Sequence, residues 1–538
     1  MSSTPVSDQS AREWAEVEAL LDRDPHGQDF NTTHEICSRY VHKPGPALTV
    51  VHGDGAREEW TYAELDAAAA RCARVFHDLG LRRGDAVGGL LARQAESWIT
   101  ALAAWRSGLV YVPLFGGFAS EAVRLRLEAV EAKAVVVDSS YVEVLNGALT
   151  MGSLDPAVLV VGGSGPWPTG WRDFREMVGD AAPDGPMAMT RLDDTATVLF
   201  TSGTSGTPKG CRMTHATFVS TIPFVRHVLG TEGPVFSTAD PAWAFGLYTT
   251  GASVMALGIP RVMYSGPFTP EQWYDVTSGE QAAVMATAPA ALRRLTAQFA
   301  ERGVPAHLRQ VAAAGEPLTE TVARDWAATG APPIRNGYGL SEVGMVLGDV
   351  IGAEGQIAPG CLADVVPGFE ATLVTRDGSP VDPGEPGLLA VRRPRFQMSS
   401  GYVNTPELWD ERCRDDLFVT EDVVERDEHG RWIVVGRDDD MIIVSGHNIS
   451  PVEVESAVLG HAAVAEAAAV ELEHPERGPV VKVVVVLNPQ EPVSNTIEDD
   501  LRTLVADKVG RYARPQAIEI ADSLPRTEVG KLRRAALR

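Results

Sequence analysis

The chain has 538 residues, of which 44% are hydrophobic, and a formal net charge of −25. Because a single hydrophobic core stops growing at about 250–300 residues, at least two domains are expected. The negative charge repels phosphate backbones and anionic lipid headgroups, so nucleic acid and the membrane surface are excluded as expected partners.

Cysteine usage and the N-terminal sequence predict a cytoplasmic protein. The five cysteines are scattered, without a CxxC pair or a Cys/His cluster: Cys37, Cys72, Cys211, Cys361 and Cys413. This distribution favours a reducing compartment and argues against a disulfide framework or structural zinc. Residues 1–24 are acidic and lack the apolar stretch of a signal peptide, so we expect none. No run approaches the about 18 apolar residues of a membrane-spanning helix.

The first half of the chain alternates strand-like and helix-like segments. A polar N-terminal stretch leads into a short amphipathic helix, and alternation then runs from about Leu48 to Val137. DAVGGLLA (85–92) reads as a strand, SWITALAAWRSG (97–108) as a helix and VYVPL (110–114) as the next strand. The pattern continues through TATVLFTSG (195–203). Such alternation is typical of mostly parallel sheets covered by helices.

The pattern changes after about residue 350. Residues 368–393 contain short alternating strands with Asp-Gly and Pro-Gly turns, which predict antiparallel structure. We therefore expect an α/β protein with a large, multi-subdomain N-terminal region (1–436) that combines mostly parallel sheets with a β-rich part. A hinge (437–440) would join it to a small, mobile α+β domain (441–538).

The run TSGTSGTPKG follows the apolar strand TVLF directly. Its glycines allow backbone N–H groups to surround an anion, hydroxyl side chains add donors, and the lysine adds positive charge. The predicted phosphate-binding residues are Thr201, Ser202, Gly203, Thr204, Ser205, Gly206, Thr207 and Lys209. The spacing differs from the Gly-x4-Gly-Lys-Ser/Thr of P-loop enzymes, which disfavours kinases and GTPases of that type.

This run resembles the phosphate loop of the adenylate-forming superfamily, which includes acyl-CoA synthetases, peptide-synthetase adenylation domains and luciferases. Further motifs similar to those of the family follow in the expected order and span most of the chain. The resemblance implies that the protein binds ATP and Mg²⁺. It also implies that Gly315, Glu316 and Pro317 line one face of the adenine.

The segment Asn336–Glu342 resembles the family's aromatic-Gly-x-Thr-Glu motif, in which Gly337 and Gly339 flank the aromatic residue. By this resemblance Tyr338 packs on the adenine and Asn336 hydrogen-bonds its amino group. Ser341 contacts phosphate, and Glu342 holds the Mg²⁺. Mg²⁺ prefers one or two carboxylates together with phosphate oxygens, which agrees with that assignment.

Four residues near the C-terminus complete the resemblance. Asp422 and Arg437 match the residues that bind the ribose, and Asp439 matches the hinge position. Lys531 matches the mobile lysine that binds the carboxylate and the α-phosphate, a role that suits a compact charge on a flexible stem. Together with Glu342 and Lys209, Lys531 is a predicted catalytic residue.

Three further positions concern the second step and the departures from the family pattern. Ser445 and Gly446 match a strand that rotation of the C-terminal domain brings to the pantetheine tunnel. Glu421 stands where the family usually has glycine, which adds a negative charge near the nucleotide. Asn448 stands where several relatives carry an arginine that meets phosphate, so the phosphate contacts are expected to differ.

The resemblance implies an acyl-CoA synthetase that forms an acyl-adenylate, releases pyrophosphate and transfers the acyl group to coenzyme A. Trp243, Phe245 and Gly246 resemble the start of the helix that lines the acyl pocket. Acetate-specific members place tryptophan at Gly339, so glycine is expected to leave a channel for a larger acid. Looser similarity suggests the medium-chain or aromatic branch, and α-amino acids are disfavoured because no aspartate lies between Trp243 and Tyr248.

Alternative functions remain open at this point. The closest alternative is a ligase that loads the phosphopantetheine thiol of a carrier protein, which a comparison of thiol acceptors would separate. A binding protein that has lost catalysis is disfavoured by the presence of Lys531, Glu342 and Asp422. A luciferase-like oxygenase would reveal itself by light emission or oxygen consumption.

Overall fold

The structure is a computed structural model that describes most of the chain. The described residues are 8–201, 209–352, 357–382, 384–438, 440–444, 447–474, 478–489, 491, 494, 496–526 and 532–538. All five cysteines are free thiols. None of the helices in these ranges combines the length and hydropathy that crossing a bilayer requires.

The described residues form 27 strands and 15 α-helices. The strands are β1 (Pro46–His52), β2 (Arg57–Thr61), β3 (Ala86–Leu90), β4 (Val110–Leu114), β5 (Ala134–Asp138), β6 (Ala157–Val161), β7 (Arg172–Asp173), β8 (Thr195–Thr201), β9 (Lys209–Thr214), β10 (Val235–Ser237), β11 (Arg261–Ser265), β12 (Val284–Thr287), β13 (Gln310–Ala314), β14 (Ile334–Leu340), β15 (Gly344–Gly348), β16 (Asp364–Val365), β17 (Ala371–Val374), β18 (Gly387–Arg392), β19 (Ser399–Tyr402), β20 (Cys413–Arg414), β21 (Leu417–Arg426), β22 (Trp432–Arg437), β23 (Ile442–Val444), β24 (His447–Ile449), β25 (Val464–His474), β26 (Gly478–Leu487) and β27 (Ala517–Ile520).

The α-helices are α1 (Asp8–Glu18), α2 (Thr32–Ile36), α3 (Tyr62–Asp78), α4 (Ala95–Arg106), α5 (Ser120–Ala129), α6 (Val142–Met151), α7 (Phe174–Asp180), α8 (Thr217–Phe224), α9 (Ser253–Ala256), α10 (Pro270–Gly279), α11 (Pro289–Arg302), α12 (Glu320–Ala328), α13 (Pro406–Arg412), α14 (Pro451–Leu459) and α15 (Ile497–Lys508). Two π-helical segments, Val225–Leu229 and Phe245–Ala252, continue or precede α-helices. π-Helical turns often occur at functional sites.

Two large sheets form the N-terminal region. The nine-stranded sheet has the order β16-β15-β14-β13-β12-β10-β11-β1-β2, and the eight-stranded sheet has the order β19-β9-β8-β4-β3-β5-β6-β7. Their central strands pair in parallel, whereas antiparallel pairs occur at the ends, such as β14 with β15 and β8 with β9. The predicted α/β architecture with mostly parallel sheets is confirmed.

A third, antiparallel sheet and a separate C-terminal domain follow. The third sheet has the order β17-β18-β21-β20, with β22 paired to β21. Beyond β22 the strands belong to other sheets, β23-β24 and β25-β26-β27. Helices α14 and α15 bury Val454, Leu501 and Val505 against β26 in a core of their own. The boundary at 437–440 stays a prediction, and its expected pivot, Asp439, lies outside the described residues.

Helix α1 packs its apolar face against Phe369 and Phe396, in the β-rich part of the N-terminal region. The Trp14 side chain is only 2% exposed and contacts Phe369 and Phe396 edge-on, with ring centroids 5.7 and 5.5 Å apart. Its indole N–H donates to the Gly368 carbonyl at 2.6 Å. The predicted amphipathic helix therefore belongs to the core that surrounds α8 and the β-rich part.

We expect Trp14→Ala to lower the free energy of unfolding by about 3–5 kcal/mol, because a buried aromatic ring is replaced by a cavity. Urea unfolding followed by tryptophan fluorescence and circular dichroism would measure the change. Arg12→Ala, on the exposed face of the same helix, is the matched control and should stay within about 0.5 kcal/mol of the unmodified protein. A loss for Trp14→Ala no larger than that of the control would contradict the packing of α1.

His215 follows β9 and is buried beneath α2. Its Nδ1 lies 2.7 Å from the Thr32 hydroxyl, and the side chain is 1% exposed. Burial disfavours the imidazolium and lowers the pKa of His215 to about 4. The folded protein therefore binds the proton more weakly than the unfolded chain, whose histidine has a pKa of 6.5.

Between pH 6.5 and 4 the unfolded state binds the additional proton, so the stability that neutral His215 contributes is present above pH 6.5 and is lost as the pH falls. We expect the unmodified protein to lose about 3 kcal/mol more than His215→Gln between pH 7 and pH 4. Denaturant unfolding of both proteins across this range would measure it. Parallel pH profiles for the two proteins would contradict this account of His215.

Candidate active site

Strand β14 carries the predicted adenine-binding residues Asn336 and Tyr338 and pairs with β13. Ala314, the last residue of β13, pairs with Gly337, so Gly315, Glu316 and Pro317 begin beside Tyr338. The sheet thus joins two sequence motifs that are separated by about twenty residues. Glu316 also accepts a hydrogen bond from the Ala290 amide at the first turn of α11, at 2.5 Å.

Tyr338 and Asp422 meet although 84 positions separate them. The tyrosine hydroxyl donates to Asp422 Oδ2 at 2.5 Å, and Asp422 is buried on β21. Burial and the neighbouring carboxylate raise the pKa of Tyr338 well above its usual value, so the hydroxyl keeps its proton and remains a donor. This bond joins the nine-stranded sheet to the antiparallel sheet.

Asp349, which the sequence analysis did not identify, fixes the position of Asn336. Its two carboxylate oxygens accept from the amides of Asn336 at 2.7 Å and Ala363 at 3.1 Å, and the side chain is 1% exposed. Burial raises the pKa of Asp349 to about 6. An aspartate directly after the apolar strand GMVLG was the available signal, because a buried carboxylate needs amide partners.

A second contact brings the predicted metal ligand to the phosphate-loop hairpin. The Tyr402 hydroxyl donates to Glu342 Oε1 at 2.6 Å, and Tyr402 pairs with Cys211 across β19 and β9. Lys209 begins β9 and is 8% exposed, while Thr201 at the end of β8 is its cross-strand partner. The Cys211 thiol lies 3.6 Å from the Ser341 carbonyl.

These contacts place Lys209, Ser341 and Glu342 around one end of the β8–β9 hairpin. Tyr402 was not identified from the sequence, since a buried tyrosine is indistinguishable there from a core residue. Fully buried in this structure, Tyr402 has a pKa raised by burial and by Glu342, so it too remains a hydrogen-bond donor.

Arg437 lies beside Asp422, with which it pairs across β21 and β22. Glu421, the residue before Asp422, accepts from Arg437 through one carboxylate oxygen and from Arg412 through the other. The negative charge that Glu421 was expected to add near the nucleotide is therefore matched by two guanidinium groups.

The predicted acyl-pocket residues divide between two apolar clusters. Phe245 and Gly246 begin the second π-helical segment, and the Phe245 ring packs edge-on against Phe224, with centroids 6.3 Å apart. Trp243 instead packs against Phe115 and Phe118 beside the eight-stranded sheet, with centroids 5.8 and 6.5 Å away. Phe245 is linked to β14 through Phe224, whose ring lies against Gly337.

Gly337 and Gly339 are required by close packing. A Cβ on Gly337 would lie 2.5 Å from the Phe224 ring, and a Cβ on Gly339 would lie 2.3 Å from the Gly344 carbonyl oxygen and 2.7 Å from the Met345 Cα. On this backbone, strand β15 occupies the space in the Cβ direction of Gly339, and the expectation that Gly339 leaves a channel for the acid stays a prediction. The prediction of an acid larger than acetate stays a prediction.

Several predicted site residues lie outside the described part of the chain. These residues are Ser202, Gly203, Thr204, Ser205, Gly206, Thr207, Asp439, Ser445, Gly446 and Lys531. Their predicted roles stay predictions.

Comparison with known proteins identifies the class to which this fold and site belong. The model of the AMP-binding enzyme family matches residues 39–403, and that of the AMP-binding enzyme C-terminal domain matches residues 453–531. The chain belongs to the family of AMP-binding enzymes.

Individual relatives extend over nearly the whole chain. The mitochondrial acyl-coenzyme A synthetase ACSM5 of Rattus norvegicus is 29% identical over 96% of this chain and 92% of its own length. An acyl-CoA synthetase from Brucella canis is 32% identical, with a TM-score of 0.77 over 99% of this chain and 98% of its own. A benzoate CoA ligase from Burkholderia xenovorans LB400 is 25% identical, with a TM-score of 0.83 over 95% of this chain and 100% of its own.

We expect Asp422→Asn to weaken AMP binding about tenfold, because the substitution keeps the side-chain shape but removes the charge of a buried acceptor. Isothermal titration calorimetry with AMP would measure the dissociation constant. Asp427→Asn, at the far end of the β21–β22 hairpin, is the matched control and should leave the constant unchanged. Equal constants for all three proteins would remove Asp422 from the nucleotide site.

Proposed function

We propose that the protein is an AMP-forming acyl-CoA synthetase that activates a carboxylic acid and transfers its acyl group to coenzyme A. The observation that carries the proposal is the hydrogen bond from Tyr338 to Asp422. It unites the predicted adenine and ribose residues at one place, with Glu342 close to them on the loop that follows β14. Family membership and acyl-CoA synthetase relatives over most of the chain support the same reaction.

In the first half-reaction a carboxylate oxygen attacks the α-phosphorus of ATP, and the bond from that phosphorus to pyrophosphate breaks. The product is an acyl-adenylate, a mixed anhydride. Two anions must approach in line, so the site needs positive charge that is already in place. We assign that role to Lys209 beside the phosphate loop and to Lys531, which would hold the carboxylate against the α-phosphate.

Glu342 suits a Mg²⁺ ion bound together with the phosphates. Mg²⁺ commonly uses one or two protein carboxylates and takes its remaining ligands from phosphate and water. Tyr402 donates to one oxygen of Glu342 and so fixes the orientation of the carboxylate, as partners of metal ligands commonly do. When bound, the ion would neutralise phosphate charge during displacement.

In the second half-reaction the thiol sulfur attacks the acyl carbonyl carbon, and the bond from that carbon to the AMP oxygen breaks. We infer that rotation of the C-terminal domain about Asp439 brings Ser445 and Gly446 to the thiol path, since one pocket must serve two reactions. Coenzyme A is preferred to a carrier protein as acceptor because the relatives named above are acyl-CoA synthetases and a CoA ligase.

For the acid we propose a substrate larger than acetate, of medium chain length or aromatic. Phe245 packs on Phe224, and the Phe224 ring in turn lies against Gly337 beside Tyr338, so the wall on this side is apolar.

The five free thiols, which include the partly exposed Cys361 and Cys413, favour the reducing conditions of the cytoplasm.

The first test is pyrophosphate release from Mg-ATP with a panel of acids from acetate to C12, benzoates and polycyclic acids, with and without coenzyme A. We expect release that depends on one acid class, and AMP and acyl-CoA only when coenzyme A is present. Pyrophosphate without acyl-CoA would favour a carrier protein as acceptor. Failure of every acid, with ATP binding also absent, would overturn the proposal.

We expect Lys531→Ala to slow adenylate formation at least about 100-fold, because a charge that acts in the displacement is removed. Acyl-CoA formation from supplied acyl-AMP should be largely retained. Single-turnover assays of each half-reaction would measure both rates, with Lys508→Ala on the exposed face of α15 as the control. Equal losses in the two half-reactions would show that Lys531 has a different role.

A further inference from the structure

We propose that Glu421 is a positioning residue that holds Arg437 in place to bind the ribose of ATP. The inference rests on the proposed function, because it assumes that Arg437 and Asp422 meet the nucleotide. Glu421 stands at a position where the adenylate-forming superfamily usually has glycine. The Glu421 carboxylate can therefore hold a neighbouring arginine side chain, which glycine cannot do.

The contacts of Glu421 form a bridge between two arginines. Arg412 donates to one carboxylate oxygen and Arg437 to the other, so a single carboxylate orients both guanidinium groups. The backbone adds a second link, since the Asp438 amide donates to the Glu421 carbonyl at 2.8 Å. Arg437 is therefore held through both its side chain and the residue that follows it.

Arg412 forms the outer end of this bridge and is mostly buried. It is the last residue of α13 and its side chain is only 12% exposed. The same helix packs Trp409 against Phe418 of β21 and Tyr402 of β19, with ring centroids 5.1 and 5.5 Å apart. Helix α13, fixed by the contacts of Trp409, thus holds the outer end of the Arg412–Glu421–Arg437 bridge.

The charges indicate what the bridge achieves. Arg412 and Arg437 match the charges of Glu421 and Asp422. These four side chains, which we call the ribose corner, therefore add no net charge. Glu421 therefore does not act by making the corner more attractive to an anion. Its effect is to order Arg437, whose long side chain otherwise loses rotamer freedom when the nucleotide binds. The planar guanidinium has enough donors to keep Glu421 and to serve a ribose hydroxyl as well.

Helix α13 consequently supports two parts of the site. Through Trp409 it buttresses Tyr402, which orients Glu342, and through Arg412 it orients Glu421 and Arg437. The metal-binding carboxylate and the ribose corner thus share one scaffold.

The test compares Glu421→Gln and Arg412→Gln with the unmodified enzyme, using acid-dependent pyrophosphate release with ATP, 2′-deoxy-ATP and 3′-deoxy-ATP. We expect each variant to raise KM for ATP about fivefold, with kcat within about twofold, because one flexible side chain loses its order. Preference for ATP over the deoxy analogues should fall by a similar factor. The double variant should be no worse than either single variant, since both remove the same support.

Arg376→Gln is the matched control. It breaks the 2.7 Å ion pair of Arg376 with Asp438, beside the hinge, but leaves the bridge to Arg437 intact. We expect its KM for ATP and its ribose preference to remain unchanged. Thermal unfolding of every variant would show whether the fold is retained.

Three outcomes overturn the inference while leaving the proposed function in place. They are an unchanged KM with unchanged ribose preference, a KM that falls in Glu421→Gln, and equal changes in Arg376→Gln. A fall in KM would mean that Glu421 competes with the ribose for Arg437. Failure of the proposed function is recognised separately, because the unmodified enzyme would then show no acid-dependent pyrophosphate release.

Discussion

The buried hydrogen bond between Tyr338 and Asp422 is the contact on which the geometry of the site depends. It links β14, in the nine-stranded sheet, to β21, in the antiparallel sheet. A buried carboxylate that lost this donor would lose one of its hydrogen bonds at a cost in free energy, so the bond favours one relative position of the two sheets at Tyr338 and Asp422. The residues predicted to bind adenine and those predicted to bind ribose are thereby brought side by side.

Other side-chain contacts of the site also join separate sheets. Tyr402, from the eight-stranded sheet, donates to Glu342, which follows β14. The loop after β14 therefore lies where three sheets meet, close to the hairpin that carries Lys209. The Phe224 ring at Gly337 and the β15 backbone at Gly339 leave no room for a side chain at either position, so both pack closely against β14. A charged nucleotide needs such order, since groups that are already placed do not have to reorganise during the reaction.

Electrostatics within the site contrasts with the charge of the whole chain. A protein with a net charge of −25 repels a free nucleotide at long range, so attraction must come from local groups. At the ribose corner two arginines are matched by two carboxylates, so these four side chains add no excess positive charge. At the phosphate end, the predicted role of Lys209 and of the phosphate-loop residues is to supply the positive potential.

Strands with strong apolar patterns, such as DAVGGLLA and VYVPL, lay where the sequence predicted them, because a buried parallel strand can hardly be built from other residues. Strand β2 was not predicted, because Arg57, Glu58 and Glu59 show no strand pattern. These residues form a strand only because they pair with the edge of β1. The motifs in Asn336–Glu342 and around Asp422 were recognisable because nucleotide chemistry restricts the residues at each position.

The sequence by itself determined the class of fold and the order of the motifs, and it predicted which residues meet a nucleotide, because periodicity and motif chemistry are local properties of the chain. Only the tertiary structure decided that Asp349 fixes Asn336, that Tyr402 orients Glu342 and that Glu421 joins Arg412 to Arg437. It also decided that Trp243 and Phe245 enter different clusters. Each of these outcomes depends on contacts between residues far apart in the chain, and their geometry follows from how the sheets pack rather than from any local pattern.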